Sequence, residues 1–284
     1  MGRSIMLGLC LFTIAFGMDD VNDVTYHKVK SILEEHLENN PDLLDSSKGK
    51  NIVVFLGNTG SGKSTLINYL SEKELRADDF NNIVLANLDD PSVMAIGEGG
   101  DSETFLPRFI PVGDLLFYDM PGFKDTRGTA NNLVNACFIK SIIENANSSK
   151  LVFVVGMDEI TAGRGEGFKK LSNQAKQLVP NKPIESFSGL VITKSQVSKI
   201  ALPNYLNSKL ELTNPELSII SNWIDHQRID QISIPRDGQI NYDNRESILN
   251  LIGGMGHDQI ENVKIDIIYD ANLTTRHFFK RFHF

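Results

Sequence analysis

Ile52-Val53-Val54-Phe55-Leu56 runs directly into Gly57-Asn58-Thr59-Gly60-Ser61-Gly62-Lys63-Ser64-Thr65, and this stretch decides the fold. The apolar run bounded by glycine reads as a buried strand. The glycine-rich segment after it meets the spacing G-x-x-x-x-G-K-[S/T], placed behind a strand and ahead of a helix as that motif requires. Gly57, Gly60 and Gly62 let the backbone curl so that successive N–H groups face inward at the opening of the helix, where they donate to phosphate oxygens. Lys63 places a point charge near terminal phosphates. Ser64 is set to ligate a magnesium ion bridging two phosphates, and Thr65 caps or packs. Leu66, Ile67 and Leu70 recur at helical spacing and dock the helix on a core. Residues 57–65 are therefore read as a phosphate-binding loop.

Working outward, strand and helix patterns alternate from Asn51 onward. Strands are expected at Ile52 to Leu56, Phe105 to Val112, Leu115 to Tyr118, Leu151 to Val155, Leu190 to Ile192 and Ile232 to Ile234. Helices are expected at Val29 to Leu37, Ser64 to Leu70, Asn132 to Asn145, Phe168 to Leu178, Pro215 to His226 and Arg245 to Ile252. Such alternation predicts an α/β fold, a doubly wound and mostly parallel sheet. The stretch from Glu72 to Glu103 reads as long and partly irregular, the kind of loop that serves function or moves.

The 284 residues, 41% hydrophobic and 23% charged, suffice for a globular core and do not read as disordered. A net charge of -8 argues against nucleic acid as a partner, since that binding draws on clustered Lys and Arg. Cys10 and Cys137 suggest neither a disulfide framework nor a zinc site, and the six histidines lack ligand-pair spacing.

Arg3 precedes a largely apolar run from Ile5 to Phe16, with Ala15 and Gly17 suited to a signal-peptidase site before Met18. Residues 1–17 thus read as a secretory leader, with a buried N-terminal helix as the alternative. The run is short for a bilayer span, and Met6 stands where an N-myristoylation motif wants Ser or Thr. The leader points to export, whereas nucleotide chemistry points to a cytosolic site of action. The expected organisation continues with a helical lead-in and linker at 18–50, the phosphate-binding domain at 51–255 and a tail at 256–284. That tail ends in the aromatic and basic His277-Phe278-Phe279-Lys280-Arg281-Phe282-His283-Phe284, suited to touching a membrane, a partner or its own domain.

A second motif lies at Asp119-Met120-Pro121-Gly122, after the apolar Leu115-Leu116-Phe117-Tyr118. It sets a carboxylate at the C-terminal end of a strand, where ligands of open α/β sheets bind. Asp119 would hold magnesium through water, and the Gly122 N–H would report whether a third phosphate is present.

With both motifs in place, the chain resembles the GTPase branch of P-loop proteins. Within it the chain looks like the septin-like, immunity-associated and chloroplast-import-receptor GTPases, whose second motif also reads Asp-x-Pro-Gly, over roughly Asn51 to Ile252. Ser102-Glu103-Thr104 matches the Ser-x-Thr switch motif of the immunity-associated members. The resemblance makes Thr104 the switch threonine that ligates magnesium in the triphosphate state. Val191-Ile192-Thr193-Lys194-Ser195-Gln196 falls where the family carries its base-recognition motif [N/T]-K-x-D. Thr193 and Lys194 match, while Gln196 replaces the aspartate and adds a donor to an acceptor, which leaves guanine or adenine open. Ser233-Ile234-Pro235 is a candidate backbone lining for the base.

Phe123 stands where small GTPases place a water-orienting Gln, so slow intrinsic hydrolysis is expected. The resemblance implies a second subunit docked across the nucleotide face. Arg127, and Arg164 in the Gly-rich stretch Gly163 to Gly167, are candidates for a charge-stabilising arginine in cis or in trans. The expected activity is a magnesium-dependent GTPase switched between GTP and GDP forms, with Lys63, Thr104, Gly122 and Arg127 as its catalytic set. Ser64, Thr104 and Asp119 are its metal set. A nucleotide-bound scaffold that hardly hydrolyses is the alternative, as is an NTPase of relaxed base specificity. A P-loop kinase is disfavoured by Asp119-Met120-Pro121-Gly122.

Overall fold

In the computed structural model of the chain, residues 23–97, 104, 106–122, 129–162, 166–179, 182–210, 217–261 and 263 are described. The strand Asn51–Leu56 (β1) lies in the middle of a sheet of six strands. On one side it pairs in parallel with Leu115–Asp119 (β5), and beyond that comes Arg108–Val112 (β4), antiparallel, at the edge. On the other side Ser148–Gly156 (β6), Ser188–Ser195 (β7) and Ile229–Ser233 (β8) follow in parallel register. The order is β4-β5-β1-β6-β7-β8. The chain is thus an α/β fold with a mostly parallel, doubly wound sheet, as its alternating pattern predicts.

The two faces of the sheet follow the two-residue period of strands. Ile52, Val54 and Leu56 of β1 and Leu151, Phe153 and Val155 of β6 point to one face. The helices Thr129–Asn145 (α3), Glu166–Leu178 (α5), Leu202–Lys209 (α6) and Ser218–Asp225 (α7) pack there. Val53, Phe55, Val152 and Val154 point to the other, covered by Lys63–Leu70 (α2) and Asn244–Gly254 (α8). Both faces of β6 are therefore buried along its length, which is why Leu151 to Val155 within it is an apolar run without alternation.

Two further contacts extend this core. Val29 and Leu33 of the helix Asp23–Asn39 (α1) pack with Leu133, Val134 and Phe138 of α3, where Cys137 is buried. Ile260 and Val263 join the cluster on the first face, and the Ser149 N–H donates to the Asp258 carbonyl at 2.8 Å.

Most elements lie where the sequence places them and run a residue or more longer. The structure also contains elements that the pattern does not announce. The stretch read as partly irregular holds a two-stranded antiparallel hairpin, Leu75–Ala77 (β2) with Ile83–Leu85 (β3). A short helix, Met157–Thr161 (α4), follows β6, and α6 opens with Pro203 in its first turn. Among the described residues no helix is long and apolar enough to cross a membrane. The leader at 1–17 and the aromatic tail at 277–284 lie outside the described residues.

Candidate functional site

The parallel strands deliver their C-terminal ends to one edge of the sheet. Gly57 follows β1, Asp119 closes β5, Gly156 closes β6, and Thr193 and Lys194 lie near the end of β7. A cleft of about 580 Å³ opens over this edge, within the size range of small-molecule sites.

The loop between β1 and α2 forms its floor. Gly62 sits at φ 87°, in the left-handed region, and acts as N-cap of α2; an L side chain there would be strained and would press on Thr193. Gly57 is required for a different reason, since a Cβ would lie 2.1 Å from the Val154 carbonyl oxygen. The loop is thus pressed flat against β6, with its N–H groups at the positive end of α2. Lys63 folds back along it, and its Nζ donates to the carbonyls of Asn58 at 3.0 Å and Gly57 at 3.3 Å. Burial pulls the Lys63 ammonium down from its usual range, while the carboxylates of Asp119 and Glu159 oppose that shift.

Beside the lysine, three oxygen-bearing side chains converge. Ser64 Oγ donates to Asp119 Oδ2 at 2.6 Å, Thr104 Oγ1 donates to the same oxygen at 3.3 Å, and the two hydroxyls are 3.4 Å apart. Burial pushes the Asp119 carboxyl up, against the pull of Lys63, Ser64, Thr104 and Arg108. Its second oxygen, Oδ1, is buried and has no hydrogen-bond partner among the described residues. A buried carboxylate with an unsatisfied oxygen is costly unless a cation or donor completes it. One carboxylate and two hydroxyls form an oxygen-only set, incomplete by itself, of the kind magnesium uses when phosphates and water supply its other ligands. The residues fit the ion.

Thr193 lies behind the loop, and its Oγ1 donates to the Ser61 carbonyl at 2.6 Å, locking the phosphate loop to β7. Lys194, at φ 53°, sits where the β7–β8 register slips, and this backbone turn aims it along the cleft wall. Its Nζ is 3.5 Å from Asp158 Oδ2. Ser233, Ile234 and Pro235 line the same wall.

The structure therefore gathers Thr59, Gly60, Gly62, Lys63, Ser64, Thr65, Thr104, Gly122, Thr193 and Lys194 around one cleft. Gly122 approaches so closely that a Cβ there would lie 2.4 Å from the Thr59 backbone nitrogen. Asn58 turns away to Glu159, Ser61 is buried behind the loop, and Gln196 is exposed and off the cleft lining. Phe123, Arg127 and Arg164, and Ser102 and Glu103 of the switch motif, lie outside the described residues.

Sequence reasoning missed two contributors. The β2–β3 hairpin supplies Arg76 and Phe80 to the rim of the cleft. Its turn is held by Asp78, whose Oδ1 accepts the N–H groups of Phe80 and Asn82, a pattern that Asp78-Asp79-Phe80-Asn81-Asn82 offers in sequence. Glu159 carries no motif and is reached only through the fold.

No known protein-family profile matches the chain, and no curated protein matches it in sequence. Among solved structures it is similar to Toc33 from Arabidopsis thaliana in complex with GDP and Mg2+, at 14% identity over 87% of this chain and 99% of that one, with a TM-score of 0.47. A dimerization-deficient mutant of Toc33 is similar at 16% identity over 83% and 95%, with a TM-score of 0.43. Era in complex with MgGDPNP and a segment of 16S ribosomal RNA is similar at 19% identity over 76% and 60%, with a TM-score of 0.41. Likeness at this level carries no argument about function, which rests on the geometry of the site itself.

Proposed function

We propose that the chain binds GTP and GDP with magnesium and hydrolyses GTP slowly, acting as a nucleotide switch completed by a second copy docked across the nucleotide face. One observation carries the reading: Ser64, Thr104 and Asp119 converge beside Lys63, with Asp119 Oδ1 buried and without a partner among the described residues, at the open end of a glycine-shaped loop.

In this reading the loop N–H groups and Lys63 bind the β- and γ-phosphates, and Lys63 offsets the charge that grows on the oxygen bridging them as it leaves. Ser64, Thr104 and Asp119 would hold magnesium, which supplies Lewis-acid neutralisation of the phosphate oxygens when bound. Water attacks the γ-phosphorus, the bond from that phosphorus to the bridging oxygen breaks, and GDP and inorganic phosphate leave. Thr104, beside Ser64, and the Gly122 N–H, beside Thr59, are the groups that would sense the γ-phosphate. An exposed Phe80 at the cleft rim gives the nucleotide face an apolar contact suited to a second copy.

Relaxed base specificity is the second reading, favoured by Gln196, which is exposed and does not line the cleft. Residues 1–17 point to export and the nucleotide chemistry to a cytosolic site of action, so either the chain reaches another cell's cytosol or the leader stays uncleaved. Binding of fluorescent GTP, GDP and ATP analogues, with turnover followed at several protein concentrations, tests the nucleotide, hydrolysis and second-copy readings. Guanine-selective binding with turnover per molecule rising with concentration is expected. Binding without turnover would instead make the protein a scaffold, and equal binding of ATP would make the site a relaxed NTPase.

A further inference from the structure

We propose that Glu159 is a positioning residue for the phosphate loop, clamping its first turn to the C-terminal end of β6. This rests on the nucleotide reading above and deepens it.

Glu159 lies on α4, the short helix that follows β6, and uses both of its oxygens. Oε1 accepts the Gly156 N–H at 3.2 Å, and Oε2 accepts from Asn58 Nδ2 at 2.5 Å. The two partners belong to different strands, because Gly156 ends β6 and Asn58 follows β1. One half-buried carboxylate thus joins the ends of neighbouring parallel strands at the level where the phosphates would lie. Asn58 is also where the lysine is seated, since its carbonyl accepts from Lys63 Nζ at 3.0 Å. Gripping the Asn58 side chain therefore fixes the carbonyl shelf on which Lys63 rests. Glu159 adds a negative charge whose field favours the charged lysine against its burial.

Gly156 is in ordinary extended backbone, at φ -73° and ψ 144°, and a Cβ there would meet only the exposed Asp158 carboxylate, which can swing aside. Asp158 reaches the opposite end of the cleft, with its carboxylate 3.5 Å from Lys194 Nζ, but both side chains there are at least half exposed. A pair so solvated contributes little. The two bonds of Glu159 are shorter, better shielded and charge-assisted, and they tie α4 to the phosphate loop.

The test is equilibrium binding of fluorescent GDP and GMP analogues, with magnesium, to the full chain. Binding stoichiometry and the thermal midpoint of the nucleotide-free protein are recorded alongside. Wild type, Glu159→Ala, Glu159→Gln, Asn58→Ala and the double variant Asn58→Ala/Glu159→Ala are compared. Glu159→Ala is expected to weaken GDP binding about tenfold, the worth of one charge-assisted hydrogen bond, at unchanged stoichiometry. Glu159→Gln keeps an oxygen for Asn58 but turns an amide donor toward the Gly156 N–H, so a loss of about threefold is expected. The GDP-to-GMP affinity ratio falls in step, because a displaced loop acts on the phosphates and a merely destabilised fold does not. The double variant is no weaker than the worse single one, since both substitutions cut the same link.

GDP binding by Glu159→Ala within twofold of wild type, or fully additive losses in the double variant, overturns the proposal. If Glu159→Ala does not fold, Glu159→Gln decides, and an unchanged GDP-to-GMP ratio in that variant overturns it. A wild-type chain that binds no nucleotide overturns the nucleotide reading and this inference together. A wild-type chain that binds while every Glu159 variant binds equally well overturns this inference alone.

Discussion

At one end of the cleft Lys63 and Asp119 are 6% and 1% exposed, while at its other end and along its rim Lys194 is half exposed and Phe80 is 85% exposed. The end with Lys63 and Asp119 is largely preorganised, short only of what would complete the Asp119 oxygens. Its charges are buried, its loop is pressed against β6 at Gly57, and its hydroxyls already converge on Asp119. The other end is lined by residues 232–235 and the half-exposed Lys194, with residues of a small separate hairpin also lining the cleft. In the proposed reading the difference follows from what each end would recognise. Phosphates and a divalent cation carry concentrated charge, and fixed dipoles and charges serve them best when no reorganisation is left to do. A base is a flat, weakly polar surface that an adaptable rim can cover.

Substitutions at the two ends should therefore differ in size. The largest effect is expected from Lys63→Ala, which removes the phosphate charge and leaves Asp119 without its cation, costing about 3 kcal/mol or roughly a hundredfold in nucleotide affinity. Isothermal titration with GDP and magnesium checks it, and affinity within threefold of wild type would break the comparison. Asp119→Asn should remove most of the magnesium dependence, an effect of about 2 kcal/mol. Nucleotide titrations with and without a chelator should then converge, and a persisting tenfold response to magnesium would place the ion elsewhere.

Gly122→Ala forces a Cβ into the Thr59 backbone. The overpacking should cost about 1–3 kcal/mol, read as a lower thermal midpoint in the nucleotide-free protein and a weaker preference for triphosphate over diphosphate. An unchanged midpoint and preference would mean the Thr59 turn yields freely. The smallest effect is expected from Gln196→Asp. Because that side chain is exposed and off the cleft, the ratio of guanine to adenine nucleotide affinities should change less than about threefold, the scale of an exposed polar change. A tenfold gain in guanine preference would instead show that the turn after β7 folds onto the base and that the base end is as specific as the phosphate end.

The same division governs how much of the molecule is readable from its sequence. The phosphate loop is legible because its demands are local: Gly62 must adopt positive φ, Gly57 must let β6 approach, and Lys63 and Ser64 follow in fixed register. β1, β6 and β7 are legible as apolar runs because both of their faces are buried. The β2–β3 hairpin escapes notice because its strands are three residues each and make a sheet of their own, leaving no long apolar pattern. α6 is missed although Ser198 and Pro203 mark the start of its helical stretch. Glu159 is beyond any sequence window, since its partner Asn58 is 101 residues away and only the adjacency of β1 and β6 unites them. The α4 that carries it is five residues long, too short to show a helical period.

The most direct test of the central claim is a magnesium titration of fluorescent GDP bound to wild-type and Asp119→Asn protein, with Lys63→Ala as the control for the loop. The convergence of Ser64, Thr104 and Asp119 beside a glycine-shaped phosphate cradle predicts tight, magnesium-dependent binding to wild type, magnesium-independent and weaker binding to Asp119→Asn, and almost none to Lys63→Ala. Equal binding by all three proteins, unaffected by magnesium, would contradict it.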